Sequence, residues 1–242
     1  MIAFIAILIV GSVAIYLAYK SKSNDTEIIV GQKTEVRKIG ERIQEVLDTE
    51  KSEKKVEREH RGIISEANKL VQTNRLKQAE KKYLAIIMKD HKNASAYMGL
   101  GNIYLEQSEF EGAAEAFKKV TELDPTNDTA LNNLGMALMQ VHKYDEAVTA
   151  YEHSVALDTK VAHRYINLAL AAEKAGDIKR QVGALEHAVD IDGDNVGYLN
   201  ALANAAISIE DKSSAKKALT KLVEIDPNNL DAQRKLARLD EK

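Results

Sequence analysis

The side chains best suited to chemistry in this chain are six histidines, and their spacing assembles neither a catalytic site nor a metal site. They stand at positions 60, 91, 142, 153, 163 and 187, with no His-Glu-x-x-His pair among them. The sequence has no Gly-rich phosphate-binding loop and no cysteine. Without cysteine there is no thiol nucleophile, disulfide or iron–sulfur cluster. These features predict that the protein is not an enzyme and uses no cofactor and no metal.

One acidic run is similar to a calcium-binding loop. Residues Asp190 to Asn195 read Asp-Ile-Asp-Gly-Asp-Asn. An EF-hand loop requires a bidentate Glu at its position 12, and the two frames of this run place Ala201 or Ala203 there. We therefore interpret the run as a turn between two helices. The formal net charge of −3 also carries no electrostatic signal for nucleic-acid binding.

The elements that must position any binding side chains follow a period of 34 residues. The two prolines, Pro125 and Pro227, lie 102 residues apart, which is three periods, and both follow Glu-Leu-Asp or Glu-Ile-Asp. A proline cannot continue the preceding helix, so it marks the end of a unit. In this frame the units are residues 60–93, 94–127, 128–161, 162–195 and 196–229, followed by a half-unit at 230–242.

The unit from Ala94 to Asn127 carries small and apolar residues at helical spacing. Counting Ala94 as position 1, these are Tyr97 at position 4, Leu100 at 7, Gly101 at 8, Tyr104 at 11, Phe110 at 17, Ala113 at 20, Phe117 at 24, Val120 at 27 and Pro125 at 32. The pattern resembles a tetratricopeptide repeat (TPR). The resemblance covers residues 60–242 and implies an all-α fold, a right-handed α-solenoid of about five helix pairs with a capping helix at 230–242.

Small residues at positions 8 and 20 predict that the two helices of a pair approach closely. The facing pairs are Gly101 with Ala113, Gly135 with Ala147, and Ala203 with Ala215. Aromatic residues at positions 11, 17 and 24 are expected to fill the space between neighbouring pairs. The unit 162–195 departs from the pattern with Gln181 at position 20, so we expect it to be the loosest joint of the solenoid.

The resemblance also implies where a ligand binds, because positions 2, 5, 6, 9, 12 and 13 of the first helix line a concave groove in such repeats. The predicted peptide-binding side chains are Asn68, Met98, Asn102, Leu105, Asn132, Asn133, Met136, Met139, His163, Ile166, Asn167, Asn200 and Asn204. Asparagine both donates and accepts, so a ladder of asparagines can pair with peptide amides, while methionine adapts to varied apolar side chains. The alternative is that some asparagines belong to the ordinary repeat pattern.

A comparison with the chaperone-binding TPR domains narrows the partner. Those domains hold a terminal carboxylate with two asparagines and three cations at fixed positions. Asn102 and Asn133 match the asparagine positions, but Met98, His163 and Asn167 stand where the cations belong. The sequence therefore predicts a protein or peptide partner that is not held by this carboxylate clamp.

The amino terminus predicts a transmembrane helix at residues 1–19. Ile2 to Tyr19 contains no charged residue, and at about 1.5 Å per residue such a helix spans a hydrocarbon core. Lys and Arg follow this segment and none precedes it, which predicts an outward amino terminus and a cytoplasmic TPR domain, in a bacterial inner membrane. The alternative is a cleaved signal peptide with Ser12-Val13-Ala14 as its cleavage site, although a charged n-region is missing.

Residues 20–59 are predicted to be a charged, partly helical juxtamembrane linker. Their apolar residues Val36, Ile39, Ile43 and Val46 follow a short heptad-like stripe, which leaves open a weak self-association through residues 36–46. Taken together, the sequence predicts a membrane-anchored scaffold that binds an extended or helical segment of a partner in the TPR groove. The alternative is an exported TPR assembly factor in the periplasm or outside the cell, and an enzyme is a distant third.

Overall fold

The computed structural model describes residues 26–240, and its side chains from residue 37 to residue 239; every regular element in that range is a helix. The helices are α1 Thr26–Gln72, α2 Leu76–Lys89, α3 Ala94–Glu106, α4 Phe110–Leu123, α5 Asp128–Gln140, α6 Tyr144–Leu157, α7 Ala162–Ala175, α8 Ile178–Ile191, α9 Val196–Ser208, α10 Lys212–Ile225 and α11 Leu230–Asp240. By its internal contacts the chain divides into two compact units, Met1–Ser65 and Glu66–Lys242. Helix α1 crosses this division.

The part of α1 in the first unit is a highly charged helix. Ion pairs one turn apart follow its surface, with Arg37 Nε 2.9 Å from Glu41 Oε1 and Lys54 Nζ 3.6 Å from Glu50 Oε2. Such pairs each stabilise an exposed helix by only about 0.3–0.5 kcal/mol. Ile39 and Val46 of the predicted self-association stripe are exposed, and the self-association itself stays a prediction.

Across residues 26–240, no helix combines the length and the apolar character needed to cross a bilayer. The predicted span, Ile2 to Tyr19, lies outside these described residues. The anchor and its orientation therefore stay predictions.

In the second unit, the turn between the two helices of each pair has the same construction. One residue per turn is left-handed, at intervals of 34 residues and with φ between 55° and 79°; these residues are Asn74, Ser108, His142, Gly176 and Glu210. The N–H of the next residue then donates to the carbonyl five residues earlier, at 2.8–2.9 Å in all five turns. This bond satisfies a carbonyl at the helix end that would otherwise have no partner.

Asparagine caps begin most of the helices that start a repeat. Asn93, Asn127, Asn195 and Asn229 each accept a bond from the backbone N–H three residues later, at 3.0–3.2 Å. Each such cap contributes about 1 kcal/mol to the helix that it begins. The same position before α7 holds Val161, which makes no side-chain cap.

The core of the solenoid combines alanines with larger aliphatic residues, and each of the first three repeats adds a buried aromatic ring at position 24. Ala113, Ala147 and Ala215 are fully buried, as the close approach of paired helices requires. A Cβ added to Gly101 would come within 2.8 Å of the Phe117 ring, and one added to Gly135 within 2.7 Å of the Tyr151 ring. The glycine at position 8 therefore makes room for the aromatic ring of its own repeat.

This finding corrects one sequence expectation about the aromatic rings. They were expected to fill the space between neighbouring pairs, and the ring of Tyr83 does so, because it lies against Gly99 of the next repeat. The rings of Phe117 and Tyr151 instead lie against a glycine of their own pair. The predicted all-helical TPR solenoid is confirmed, with α3 to α10 as four helix pairs, the end of α1 and α2 before them, and α11 after them.

Candidate peptide-binding groove

The two sets of helices in the solenoid differ sharply in charge. We call α3, α5, α7 and α9, which begin their repeats, the A helices, and α4, α6, α8 and α10 the B helices. The A helices contain five Asp, Glu, Lys or Arg residues in total, whereas the B helices, of nearly the same length, contain seventeen. Helix α9 contains none. The solvent-facing surface of the A helices, which we call the A-helix face, is therefore nearly uncharged.

Asparagines connect neighbouring A helices across this face. Asn133 Nδ2 of α5 donates to Asn102 Oδ1 of α3 at 3.4 Å, and Asn167 Nδ2 of α7 donates to Asn132 Oδ1 of α5 at 3.0 Å. Each contact uses one atom of each amide. Asn102 and Asn132 keep a donor, and Asn133 and Asn167 keep an acceptor, for a bound ligand. The structure thus brings the central predicted asparagines together in pairs.

The remaining asparagines of the predicted set have other local partners. Asn68 Oδ1 accepts a bond from the Tyr83 hydroxyl group. Asn200 Nδ2 donates to the Val196 carbonyl of its own helix at 2.8 Å. Asn204 Oδ1 accepts from Lys235 Nζ of the capping helix α11 at 2.9 Å. These contacts agree with the alternative that some asparagines serve the fold.

The apolar side chains of the predicted groove fall into two groups. Met98, Leu105, Met139 and Ile166 pack partly against the core of the solenoid. Met136 is exposed, as are Leu170 and Ile207 on the next two A helices. His163 is exposed as well. The A-helix face therefore offers amides and exposed apolar side chains, which suit an uncharged polypeptide segment.

Two polar contacts on the A helices were not anticipated from the sequence. Arg164 of α7 forms an ion pair with Asp128 of α5, and its side chain is only 14% exposed. Lys235 of α11 brings one cation to the end of the A-helix face. The 34-residue pattern describes positions within a repeat and contains no information on which long side chain reaches the next repeat.

A cleft that the sequence did not predict lies between two B helices. It has a volume of about 1140 Å³ and lies between α4 and α6, over Leu131, Leu134 and Leu138 of α5. Glu and Lys side chains of α4 line it, together with Lys143 and Glu146 at the start of α6. Burial raises the pKa of Tyr104 in its wall, and the negative charges of Glu80 and Glu109 act in the same direction.

Glu-His pairs stand at positions 25 and 26 of two repeats, as Glu152-His153 and Glu186-His187, and both glutamates contact the next B helix. Glu152 Oε1 lies 3.2 Å from Arg180 Nε of the next B helix, and Glu186 Oε1 accepts a 2.6 Å bond from Ser214 Oγ. His187 is exposed and stacks on Tyr165 with ring centroids 5.0 Å apart. Within residues 26–240, no group of three or more His, Asp or Glu side chains converges as metal ligands do.

Known structures share this architecture. The chain superposes on YrrB, a TPR protein with an unusual peptide-binding site, at 20% identity and a TM-score of 0.59 over 71% of this chain and 89% of that one. It superposes on MamA at 26% identity and a TM-score of 0.52, over 61% and 81%. The match with pilF of Pseudomonas aeruginosa has 17% identity and a TM-score of 0.52, over 77% and 85%. No curated protein sequence matches the chain.

Sequence models of one family match three stretches of the solenoid. A TPR repeat matches residues 101–141, and tetratricopeptide repeats match residues 129–160 and 196–229. These stretches contain Gly101, Gly135 and the buried Ala113, Ala147 and Ala215, and the match at 196–229 coincides with a unit predicted from the prolines. The chain therefore belongs to the tetratricopeptide repeat family.

Proposed function

We propose that this protein is a membrane-anchored scaffold that holds an uncharged segment of a partner protein on its A-helix face. The observation that carries the proposal is the charge difference between the two sets of helices, five charged residues against seventeen. A helix face that only meets water usually carries charges, as the B helices do. An exposed face with apolar residues and few charges is typical of a protein interaction site.

The amides and apolar side chains of this face have complementary roles in the proposal. The unused donor of Asn102 and the unused acceptor of Asn133 pair with the backbone of an extended segment. Met136 and Leu170 contact its apolar side chains. An amide left unpaired in a desolvated groove costs about 1–3 kcal/mol, so these contacts select a ligand with a regular backbone.

The test is an affinity measurement on partners captured from solubilised membranes. Each captured partner is titrated onto the wild type and onto a variant with Asn102, Asn133 and Asn167 replaced by alanine. Loss of even one amide contact weakens binding about 5- to 150-fold. Because the contacts are neutral, affinity is expected to change little between low and high salt. A matched control replaces Lys118, Glu115 and Lys119 of α4 with alanine and is expected to bind like the wild type.

Two results would move the site away from the A-helix face. One is an unchanged affinity in the triple asparagine variant, provided that its thermal unfolding matches the wild type. The other is a loss of affinity in the α4 control variant or on raising the salt alone.

The membrane part of the proposal rests on the sequence of residues 1–38. Ile2 to Tyr19 is uncharged, and Lys20, Lys22, Lys33, Arg37 and Lys38 follow it. By the positive-inside rule, these charges favour a cytoplasmic solenoid. A reporter that fluoresces only in the cytoplasm, fused after Lys242, is expected to be bright. A dark fusion, together with an active periplasmic alkaline phosphatase fusion, would instead favour the exported assembly factor.

A further inference from the structure

The loops that join α8 to α9 and α10 to α11 carry the same exposed pair of aliphatic residues. Ile191 and Val196 are 40% and 44% exposed, and Ile225 and Leu230, each 34 residues further along, are 39% and 65% exposed. Each pair consists of the last residue of a B helix and the first residue of the following helix. We call these four residues the distal edge. They lie at the ends of helices, outside the set predicted for the groove.

The aliphatic residues that begin α9 and α11 are not explained by folding. At the same position, α3 begins with Ala94, α5 with Asp128 and α7 with Ala162. A carboxylate in the first turn interacts favourably with the helix dipole, and alanine has the best helix propensity. A largely exposed Val196 or Leu230 gains neither advantage and buries little surface. Clustered exposed aliphatic residues of this kind are typical of a docking surface.

The charges around the distal edge identify the kind of partner. The stretches 190–196 and 224–231, which include the two loops, hold six carboxylates and no Lys, Arg or His: Asp190, Asp192, Asp194, Glu224, Asp226 and Asp231. Four of them have a cation within 4 Å: Lys217 Nζ lies 3.2 Å from Asp190 Oδ1, Lys221 Nζ lies 3.1 Å from Asp194 Oδ1 and 3.8 Å from Glu224 Oε2, and Lys235 Nζ lies 2.8 Å from Asp231 Oδ2. All four stay more than half exposed. Asp192 and Asp226, each between the two aliphatic residues of its pair, are exposed and form no ion pair with the described residues. Each aliphatic pair thus flanks an exposed negative charge.

The pattern is confined to these two loops. The preceding loop also has an exposed aliphatic residue, Leu157. However, it contains Lys160, and the next helix begins with Ala162 instead of a larger aliphatic residue. The distal edge is therefore a duplicated feature of the last two loops rather than a general property of the repeat.

We propose that the distal edge is a second docking surface, for a polypeptide segment that combines aliphatic side chains with Lys or Arg. The two residues of each pair belong to neighbouring packed helices. The axes of such helices lie about 8–10 Å apart, and an extended chain rises about 3.3 Å per residue. Aliphatic residues three positions apart in an extended segment match this spacing, and the intervening cations face the carboxylates. An anionic membrane surface is repelled by the same charges. The partner is thus a basic protein segment.

The test uses a synthetic peptide of repeated Leu-Lys-Lys triplets as the probe. Because the chain has no cysteine, the full-length Asn228→Cys protein accepts a single fluorescent label in the second loop. The Leu-Lys-Lys peptide is expected to bind and to change the fluorescence. Peptides of Leu-Glu-Glu and Ser-Lys-Lys triplets, which lack the cations and the aliphatic residues respectively, are expected to bind at least about tenfold more weakly.

Two variants separate the apolar from the charged contribution. Val196→Ala with Leu230→Ala keeps every charge and is expected to lower the affinity about tenfold. Asp192→Asn with Asp226→Asn keeps the hydrogen-bonding oxygens and is expected to lower both the affinity and its dependence on salt. Thermal unfolding of both variants is compared with that of the wild type. If one variant unfolds at a lower temperature than the wild type, the binding of the other variant tests the proposal.

The proposal is overturned if the Leu-Glu-Glu peptide binds as tightly as the Leu-Lys-Lys peptide, if no peptide binds, or if a stably folded variant binds like the wild type. The triple alanine variant at Asn102, Asn133 and Asn167 is expected to bind the Leu-Lys-Lys peptide normally. A loss of binding there would place the peptide on the A-helix face and would also overturn the proposal. The proposals for the A-helix face and for the distal edge can therefore be refuted independently of each other.

Discussion

At the scale of single residues, the left-handed turn residues show how the repeat tolerates local strain. Only one of the five is glycine, and the other four are Asn74, Ser108, His142 and Glu210. A non-glycine residue in this region costs about 1–2 kcal/mol because its Cβ approaches the backbone, although asparagine adopts it more readily. The strain is tolerated because the returning N–H bond closes the helix in every turn.

A matched pair of substitutions measures this strain. Gly176→Ala is expected to destabilise the protein by about 1–2 kcal/mol, because φ is 79° at this position. Glu210→Gly is expected to stabilise it by about 0.5–1 kcal/mol, the relieved strain less the added freedom of the unfolded chain. Urea unfolding of the full chain gives both values. Two shifts of the same sign would contradict this explanation of the turns.

Tyr151 gives the solenoid a dependence on alkaline pH. Burial of its ring against Gly135 raises the pKa of Tyr151 to about 12, whereas a tyrosine in an unfolded chain titrates near 10. The neutral form is therefore favoured in the folded state. Its contribution is fully present below about pH 10 and is lost as the pH rises towards 12.

Comparison of the wild type with Tyr151→Phe isolates this group. Between about pH 9 and about pH 11.5, the wild type is expected to lose about 2 kcal/mol more unfolding free energy than the variant, since one pKa unit corresponds to 1.36 kcal/mol. Chemical denaturation at the two pH values gives the difference. Equal losses in both proteins would show that Tyr151 ionises in the folded state as readily as in the unfolded chain.

At the scale of the elements, the close approach of α5 and α6 depends on Ala147. This residue is fully buried, while Ala156 on the same helix is exposed. Replacing Ala147 with leucine inserts three carbons into a filled contact and is expected to cost about 1–3 kcal/mol. Ala156→Leu makes the same chemical change in solvent and is expected to be nearly silent. Equal shifts in thermal unfolding would mean that the 34-residue register is wrong.

The sequence predicted the helices of the solenoid well because each boundary has a local cause. Asn127 caps α5 at the predicted start of a repeat, and Pro125 and Pro227 follow the ends of α4 and α10. By contrast, the sequence marked a new repeat at residue 60, where α1 continues as one helix. Gly62 lies in that stretch without ending the helix, and the charges pair along the helix, as between Arg61 and Glu57.

The candidate site was predictable only as a set of positions. Repeat spacing identified Asn102 and Asn133 as members of one surface, but not the bond between them. That bond depends on the rotation between neighbouring repeats, which the spacing within a repeat does not contain. The same limit explains why the links from Arg164 to Asp128 and from Ser214 to Glu186 were missed.

At the scale of the whole solenoid, charge is divided among three surfaces. The A helices are nearly uncharged, the B helices carry both signs, and the loops of the distal edge are acidic with exposed aliphatic residues. A single ligand chemistry does not suit all three. A scaffold of this kind can hold two different segments at once, and linked segments then bind more tightly than either one alone.

The junction between α6 and α7 lacks the asparagine cap that begins α3, α5, α9 and α11. Val161 provides no cap for α7. The hydroxyl of Ser154, near the end of α6, is fully buried and has no hydrogen-bond partner among the described residues. An unsatisfied buried hydroxyl costs about 1–3 kcal/mol. Arg164, paired with Asp128, is the main polar link across this joint.

The uncapped start of α7 has a consequence for proteolysis. Lys92 and Lys160 occupy the same position of their turns, and both are exposed, but Asn93 caps the helix after the first and Val161 stands after the second. Cleavage requires local opening of the turn. Trypsin is therefore expected to cut the native protein after Lys160 before it cuts after Lys92. Val161→Asn is expected to stabilise the start of α7 by about 1 kcal/mol and to slow the cut after Lys160 about fivefold. Gel analysis of the fragments over time measures the cleavage rates. Earlier cleavage after Lys92 would contradict this expectation. A first cut after Lys160 separates the repeats before the junction from those after it.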